Sequence, residues 1–441
     1  MGGAGRDKPA MPSLPIPSAS GEPRRPFFRR LFGLRRQMSW KQAFTALQYP
    51  NYRLWFWGQM FSLFGTWMQS TALAFLIYEL TKSPAYLGLV GFAAGVPTWL
   101  FMLYAGVIAD RMPRRTMIII TQASMMILAF FLAVLTFLHI VQPWHILVIA
   151  LLLGAANAFE APARQAFVLE MVGLHDMTNA IALNGAMFNT ATAVGPAVAG
   201  LIYAILGPAW CFTINGISFI AVIVALALMK LKPFVPKPEK TSTIDDLKEG
   251  IKYVAGQPMV RTITGLVAIV TLFGIAYATL LPAWAVKILG GGATTNGFLQ
   301  AARGLGALGG ALLIASLGRF RFRGRLLTLG TLSLPVLILA FAFVRWTPLS
   351  LFLLFGAGMS QIFIYNLCNA LVQTFSPNEL RGRVMGVYTF VFFGAMPVAA
   401  LGIGSTAQRL GEPAAVIIGA SLMLLAAVLV WIFVPRLRHQ S

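Results

Sequence analysis

The chain has 441 residues, 58% hydrophobic and 11% charged, with a mean hydropathy of +0.76. Soluble domains carry roughly 45–50% apolar and about 25% charged residues, so a soluble fold is excluded and lipid has to solvate much of this chain. The net charge of +21 would suggest nucleic acid in a soluble protein; here the basic residues gather between apolar runs, as in a positive-inside membrane protein, and no nucleic-acid module is visible.

Long unbroken apolar runs favour helices over the short alternating segments of a β-barrel. The expected class is an all-α polytopic membrane protein with twelve transmembrane helices in two pseudo-symmetric six-helix bundles. Residues 1–48 read as a disordered basic cytoplasmic tail. This stretch is rich in Pro and Arg, with no apolar run of signal-peptide length, and its arginines suit anionic lipid headgroups. The first bundle, 49–231, holds spans at about Tyr52–Leu80, Pro84–Ala109, Arg115–His139, Trp144–Met171, Met177–Leu206 and Ala209–Leu231. The second, 259–434, holds spans at about Met259–Leu289, Asn296–Leu317, Leu326–Val344, Pro348–Phe375, Leu380–Gln408 and Ala414–Val434. Residues 435–441 form a second cytoplasmic tail.

Between the bundles, 232–258 starts as a stiff Pro-rich linker, Lys232 to Pro238. Ile244, Leu247, Ile251 and Val254 then recur at helical spacing, with Ser242 or Thr243 as cap and Asp245 and Asp246 at the N-terminus. That pattern predicts an amphipathic helix on the membrane surface. Arginines follow spans 2, 8, 10 and 12 (Arg111, Arg114 and Arg115; Arg319 to Arg325; Arg381 and Arg383; Arg436 and Arg438). The other side carries only Lys82, Lys287, Arg345 and Arg409. Both termini are therefore expected in the cytoplasm, in an inner (plasma) membrane. Ala166-Phe167-Val168 is echoed 204 residues later by Ala370-Leu371-Val372, a weak sign of parallel repeats.

Chemistry-bearing residues are few. Cys211 and Cys368 sit in apolar runs, and the four histidines are scattered near span ends, so no metal site, cofactor or disulfide framework is expected. Neither an enzyme constellation nor a phosphate-binding Gly-Lys-Ser/Thr loop appears. Span 4 carries Glu160 and Arg164, an i,i+4 pair at membrane depth. Such groups face protein or a water-filled cavity. Two polar stripes recur at helical spacing, Gln59, Ser62, Thr66 and Gln69 in span 1 and Gln361, Tyr365, Asn369 and Gln373 in span 10. Amides against lipid are costly, so both should face inward, where Asn157 is a further cavity candidate; the lone cation Arg303 either lines the cavity or snorkels.

Gly106-Val107-Ile108-Ala109-Asp110-Arg111-Met112-Pro113-Arg114-Arg115, after span 2, resembles the loop motif of the major facilitator superfamily, with Pro113 in place of the usual Gly. The resemblance implies that Asp110 caps span 11 while Arg114 meets an acid ending span 4, Glu170 here. Gly185, Gly195, Pro196 and Gly200 in span 5 are similar to the family's antiporter-associated packing motif, with Ala191 and Ala199 where glycines are usual. Pro162-Ala163-Arg164-Gln165-Ala166-Phe167 in span 4, Gly58-Gln59 and Ala72-Leu73 in span 1 and the Tyr78-Glu79-Leu80-Thr81 exit resemble the enterobactin-exporter-like branch, from about Tyr49 to Val434. That branch implies siderophore or drug efflux driven by proton antiport, a cavity lined by spans 1, 4, 7 and 10, and a monomer. Relatives often carry Asp after Gly in span 1. Thr66 follows Gly65 here, so Glu160 becomes the proton-coupling candidate, with Arg164 beside it; a permanent Glu160–Arg164 pair that only braces span 4 is the rival reading. The expected substrate is an amphipathic small molecule. An uptake symporter, a lysophospholipid or lipid flippase and a non-transporting sensor remain open alternatives.

Overall fold

A computed structural model describes residues 44–173, 175–231, 243–317 and 323–434. The side chains of 102, 103, 106, 107, 109–111, 243–245, 317 and 323 fall outside that description, as do residues 1–43 and 435–441, the Pro-rich linker and the arginines at 319 and 321; the end of the tail expected to be disordered over 1–48 is instead ordered, a 3₁₀ turn at Thr45–Gln48 with Ala46 buried and its N–H donating to Asn179 Oδ1 at 2.9 Å.

Twelve helices are long and apolar enough to cross a membrane. They run Pro50–Thr81, Pro84–Arg111, Arg114–Phe137, Pro143–Met171, Met177–Leu206 and Pro208–Leu228, then Pro258–Ile288, Ala293–Leu317, Arg323–Phe343, Thr347–Phe375, Arg381–Leu410 and Glu412–Phe433. These are called spans 1 to 12. Proline opens spans 1, 2, 4, 6 and 7 and stands in the first turn of spans 10 and 12. Its ring pre-sets φ for a helix, and its missing N–H is one a helix start leaves unpaired anyway. No strand occurs among the described residues. Leu100, Ile127, Ile205, Phe352 and Phe433 are each more than half exposed, as lipid-facing side chains are when no bilayer is present.

The contacts repeat with a shift of six spans. In the first bundle span 2 packs on 4, 1 on 5 and 6, 3 on 4 and 6, and 5 on 6; in the second, 8 packs on 10, 7 on 11 and 12, 9 on 10 and 12, and 11 on 12. The bundles meet where span 2 crosses span 11 and span 5 crosses span 8, two contacts that the shift exchanges. Turn glycines Gly207 (φ +90°) and Gly411 (φ +87°) occupy matching positions between spans 5 and 6 and spans 11 and 12. They stand 204 residues apart, the spacing of the sequence echo, and a positive φ there favours glycine.

Span 7 departs from the continuous helix expected at Met259–Leu289. Its α-helix Pro258–Ile269 gives way to a wide π turn at Val270–Gly274, a tight 3₁₀ turn at Ala276–Leu280 and a second π turn at Trp284–Ile288. Pro282 lacks the N–H that an unbroken ladder needs. The linker helix forms over Thr243–Gly256 and lies on span 11. Gly250 permits the approach, since a Cβ there would stand 2.7 Å from the Arg383 carbonyl oxygen. Arg383 Nε reaches Asp246 Oδ1 at 2.7 Å, and Arg383 also pairs with Glu249.

The crossings between the bundles are tight at the end far from the linker helix. A Cβ on Gly88 would stand 2.6 Å from the Ala400 oxygen, and one on Gly200 2.7 Å from the Ala293 oxygen. Small residues let the backbones touch. Toward the linker end the same helices offer open space, where Gly185, Gly382 and Gly386 meet nothing within 4 Å. The close packing expected at Gly185 is therefore absent in this conformation. Gly195, against Trp67 Cβ at 2.8 Å, and Gly200, against Gly297, do pack closely.

Candidate functional site

Span 1 brings its polar stripe inside. Gln59, Ser62 and Gln69 are buried, and Thr66 is partly so. Span 3 supplies a residue that sequence spacing does not single out: buried Gln122, whose Nε2 donates to Glu160 Oε1 at 2.9 Å. Ser62 Oγ donates to Gln122 Oε1 at 3.5 Å. Arg164 Nη1 stands 3.8 Å from Glu160 Oε1, at the outer edge of an ion pair. The i,i+4 pair thus sits on one face as spacing predicts, but the direct hydrogen bond to the carboxylate comes from span 3. Span 6 adds Asn215, also missed by spacing, whose Nδ2 donates to Gln69 Oε1 at 2.7 Å. An isolated amide in an apolar helix forms no stripe. Its cost in lipid is nonetheless a sequence signal that it has a partner.

These groups border two adjoining cavities. One of about 180 Å³ is lined by Gln59, Ser62, Thr66, Gln122, Asn157, Glu160 and Arg164. The other, about 340 Å³, shares Thr66 and Asn157 and runs past Gln69 and Asn215 to Ala278, Thr279 and Pro282 of span 7 and Gln300 of span 8. The irregular turns of span 7 therefore reach this space. Non-helical backbone at membrane depth is tolerated where it lines a cavity or is buried in protein. Such an arrangement can hold an amphipathic molecule, with apolar walls and a few polar contacts on two or more spans.

The span 10 stripe is divided. Tyr365 is partly buried and its hydroxyl lies 3.0 Å from Thr271 Oγ1 on span 7. Gln361 is partly buried. Gln373 is exposed and donates to Asn369 Oδ1 at 2.7 Å, so the linker-end half of the stripe pairs with itself. Arg303 is partly buried on span 8 with no hydrogen bond or ion pair among the described residues. At the loop after span 2, Arg114 pairs with Glu170, as the motif implies. Arg115 instead donates to the Ala227 oxygen at 2.9 Å and the Met229 oxygen at 3.4 Å, closing the C-terminus of span 6. The side chains of Gly106's neighbour Val107, of Asp110 and of Arg111 lie outside the described residues. Cys211 and Cys368 are buried and free.

Residues 41–440 match the family of transmembrane secretion effectors, a branch of the major facilitator superfamily. The chain belongs to this family. Among its curated relatives is the staphyloferrin A transporter of Staphylococcus aureus, 29% identical over 330 residues, 73% of this chain and 77% of the relative. The multidrug efflux pump Tap of Mycolicibacterium fortuitum is 26% identical over 385 residues, 85% and 93% of the two chains. Enterobactin exporter EntS of Escherichia coli K12 is 25% identical over 416 residues, 91% and 96%. A bacterial homologue of the lysosomal transporter Spinster, solved in an inward-facing and unoccupied conformation, superposes with a TM-score of 0.67 at 13% identity over 88% of this chain and 98% of that one. At that identity the likeness speaks for the fold alone. The chain is thus a multi-pass membrane protein of the major facilitator type.

Proposed function

We propose that the chain exports an amphipathic, siderophore- or drug-like small molecule from the cytoplasm by alternating access, with protons flowing inward as the coupling ion. The observation that carries this reading is Glu160. It is buried within span 4, it borders the cavity, and it is held by Gln122 on a second span. A transporter that moves protons needs an acid reachable from the substrate space. The tight far-end crossings at Gly88 and Gly200 support a cavity closed at that end, one of the two states that alternating access requires. With the arginine-rich loops in the cytoplasm, the opposite end faces inward. The names of the relatives, two of them called exporter or efflux pump, support the outward direction. The boundaries 49–231 and 259–434 are proposed as the two moving bodies and 232–258 as their tether.

The test is purified protein in liposomes carrying an imposed pH gradient, with enterobactin and ethidium as probes. Export predicts probe movement against the proton gradient. Movement with the protons would establish the uptake symporter, and movement of a fluorescent phospholipid alone would establish the flippase. Reporter fusions at Arg325 and Ser441 are expected to report cytoplasm, and a periplasmic signal at either overturns the orientation. Gly106, Asp110, Arg111, Arg114, Arg115 and Glu170 are proposed to hold the linker end shut in the alternate state, with Asp110 capping span 11, where a helix N-terminus favours an anion. Asp110→Asn is then expected to cut transport several-fold while membrane insertion stays intact. Normal flux in that variant removes the gate.

A further inference from the structure

The smaller of the two cavities holds more than the polar side chains of spans 1, 3 and 4. Three aromatic rings from three spans also line it: Trp67 of span 1, Phe188 of span 5 and Phe219 of span 6. Trp67 and Phe188 meet edge to face, with centroids 5.7 Å apart and planes at 78°, an arrangement that aromatic quadrupoles favour. The two rings therefore form a corner. Gly195 lets span 5 close on span 1 at that corner, since a Cβ there would stand 2.8 Å from Trp67 Cβ. Proton coupling at Glu160 uses none of the three rings.

Gln59 lines the same cavity. It is 1% exposed, and its Oε1 accepts no hydrogen bond. A dry acceptor of this kind is destabilising and calls for a donor that the chain does not supply. Glu160 and Arg164 enter the cavity together, with Arg164 Nη1 3.8 Å from Glu160 Oε1, so their charges largely cancel there. What is left to meet a ligand is an amide oxygen and the negative faces of aromatic rings. Both attract a cation and repel an oxyanion. Arg164 is the one cationic group lining the cavity, and Glu160 already engages it. Size points the same way. About 180 Å³ is the share of roughly six waters in the liquid, room for a small cationic head but not for a whole drug-sized molecule. The adjoining cavity of about 340 Å³ shares Thr66, Asn157 and Phe219 with it and has apolar walls at Leu73, Val90 and Leu153, which suit an apolar body.

We infer that the smaller cavity is an alkylammonium subsite. Trp67, Phe188 and Phe219 surround the cationic head, and Gln59 Oε1 accepts from its N–H where it has one. The inference rests on the transporter reading above and narrows its substrate class to amphiphiles that carry an amine. Affinity for the head comes from the rings and the amide, which leaves Glu160 free to exchange its proton.

The test is equilibrium dialysis with the purified full chain in detergent. The probes are benzyltrimethylammonium, its uncharged carbon isostere neopentylbenzene, and benzylammonium. Wild type is expected to bind benzyltrimethylammonium about tenfold more tightly than the isostere, the size of a desolvated cation–π contact. Trp67→Leu should abolish that preference. The ratio of the two affinities is the readout, because packing lost on substitution lowers both alike. Phe188, 42% exposed, is the gentler site, and Phe188→Leu should reduce the ratio several-fold; it carries the test where Trp67→Leu does not fold. Gln59→Leu should weaken benzylammonium several-fold and leave benzyltrimethylammonium, which has no N–H, unchanged. Equal losses for the two remove Gln59 from the site. A wild type that binds the isostere as tightly as the cation overturns the subsite, as does an unchanged ratio in the folded ring variants. A ring-dependent preference for the cation in a chain that drives no flux in liposomes overturns the transporter reading and leaves the subsite standing. Proton-driven flux with no preference for the cation does the reverse.

Discussion

Glu160→Gln is expected to reduce pH-driven transport to the level of empty liposomes while substrate counterflow continues. The substitution keeps the size of the side chain and its ability to accept the hydrogen bond that Gln122 Nε2 donates at 2.9 Å. Only the capacity to take up and release a proton is lost. A coupling acid has to exchange its proton with each side in turn, so a fixed neutral amide should uncouple the carrier without emptying its binding site. The competing role is structural: a permanent Glu160–Arg164 brace on span 4. Two features weigh against it. The Arg164 nitrogen is 3.8 Å away, too far for a hydrogen bond. Its side chain is also a quarter exposed, so it would not be stranded dry when the acid is neutralised, as the partner in a fully buried pair is. If the brace nevertheless dominates, counterflow, binding and thermal stability should all fall together. Intact pH-driven efflux in Glu160→Gln ends the coupling proposal.

How much of this was legible in the sequence follows from the range of each interaction. Hydropathy is a local property, and a helix alone in lipid must satisfy its own backbone. The span from Pro143 to Met171 therefore lies within one residue of its expected start at Trp144 and ends where expected. The linker helix, read from four apolar residues at helical spacing, extends two residues past the expected Val254 to Gly256. Stripes in span 1 were legible for the same reason. Gln122 and Asn215 were not, because each is a single amide whose partner, Glu160 or Gln69, lies on another span. Periodicity also says nothing about how an apolar run is wound. Span 7 has a hydropathy between those of its neighbours, yet Gly274 ends a wide turn and Pro282 stands between the tight turn and the second wide one, where the chain passes the cavity. Gln373 shows the converse limit. It shares the spacing of Tyr365, but it lies near the end of span 10 and bonds to Asn369, since helical phase gives direction and not depth.

Gly88→Leu is expected to lower transport at least about tenfold and to shift the protein toward the state open at the far end. A Cβ at Gly88 would stand 2.6 Å from the Ala400 oxygen and 3.2 Å from the Gly404 and Leu401 α-carbons of span 11. All three are backbone atoms, so relief requires moving the helix rather than a rotamer. Overpacking of this kind costs about 1–3 kcal/mol, and 1.4 kcal/mol is a tenfold change in an equilibrium. The cost falls only on the conformer in which spans 2 and 11 touch here, so it changes the balance between conformers and leaves the fold itself largely intact. Gly154 makes the contrast. A Cβ there would stand 2.1 Å from the Ala94 oxygen, between spans 4 and 2 of the same bundle. On the proposed alternating-access cycle that contact persists whichever side is open, so Gly154→Leu should lower yield and thermal stability without redistributing states. Accessibility separates the two effects. Both native cysteines are buried, which gives a quiet background, and Thr66 borders both cavities. Thr66→Cys should react with a membrane-impermeant maleimide mainly from the linker side in the otherwise native chain, and mainly from the far side once Gly88 is leucine. Lost transport with the labelling side unchanged would show that the far-end crossing only stabilises the fold and is not a gate.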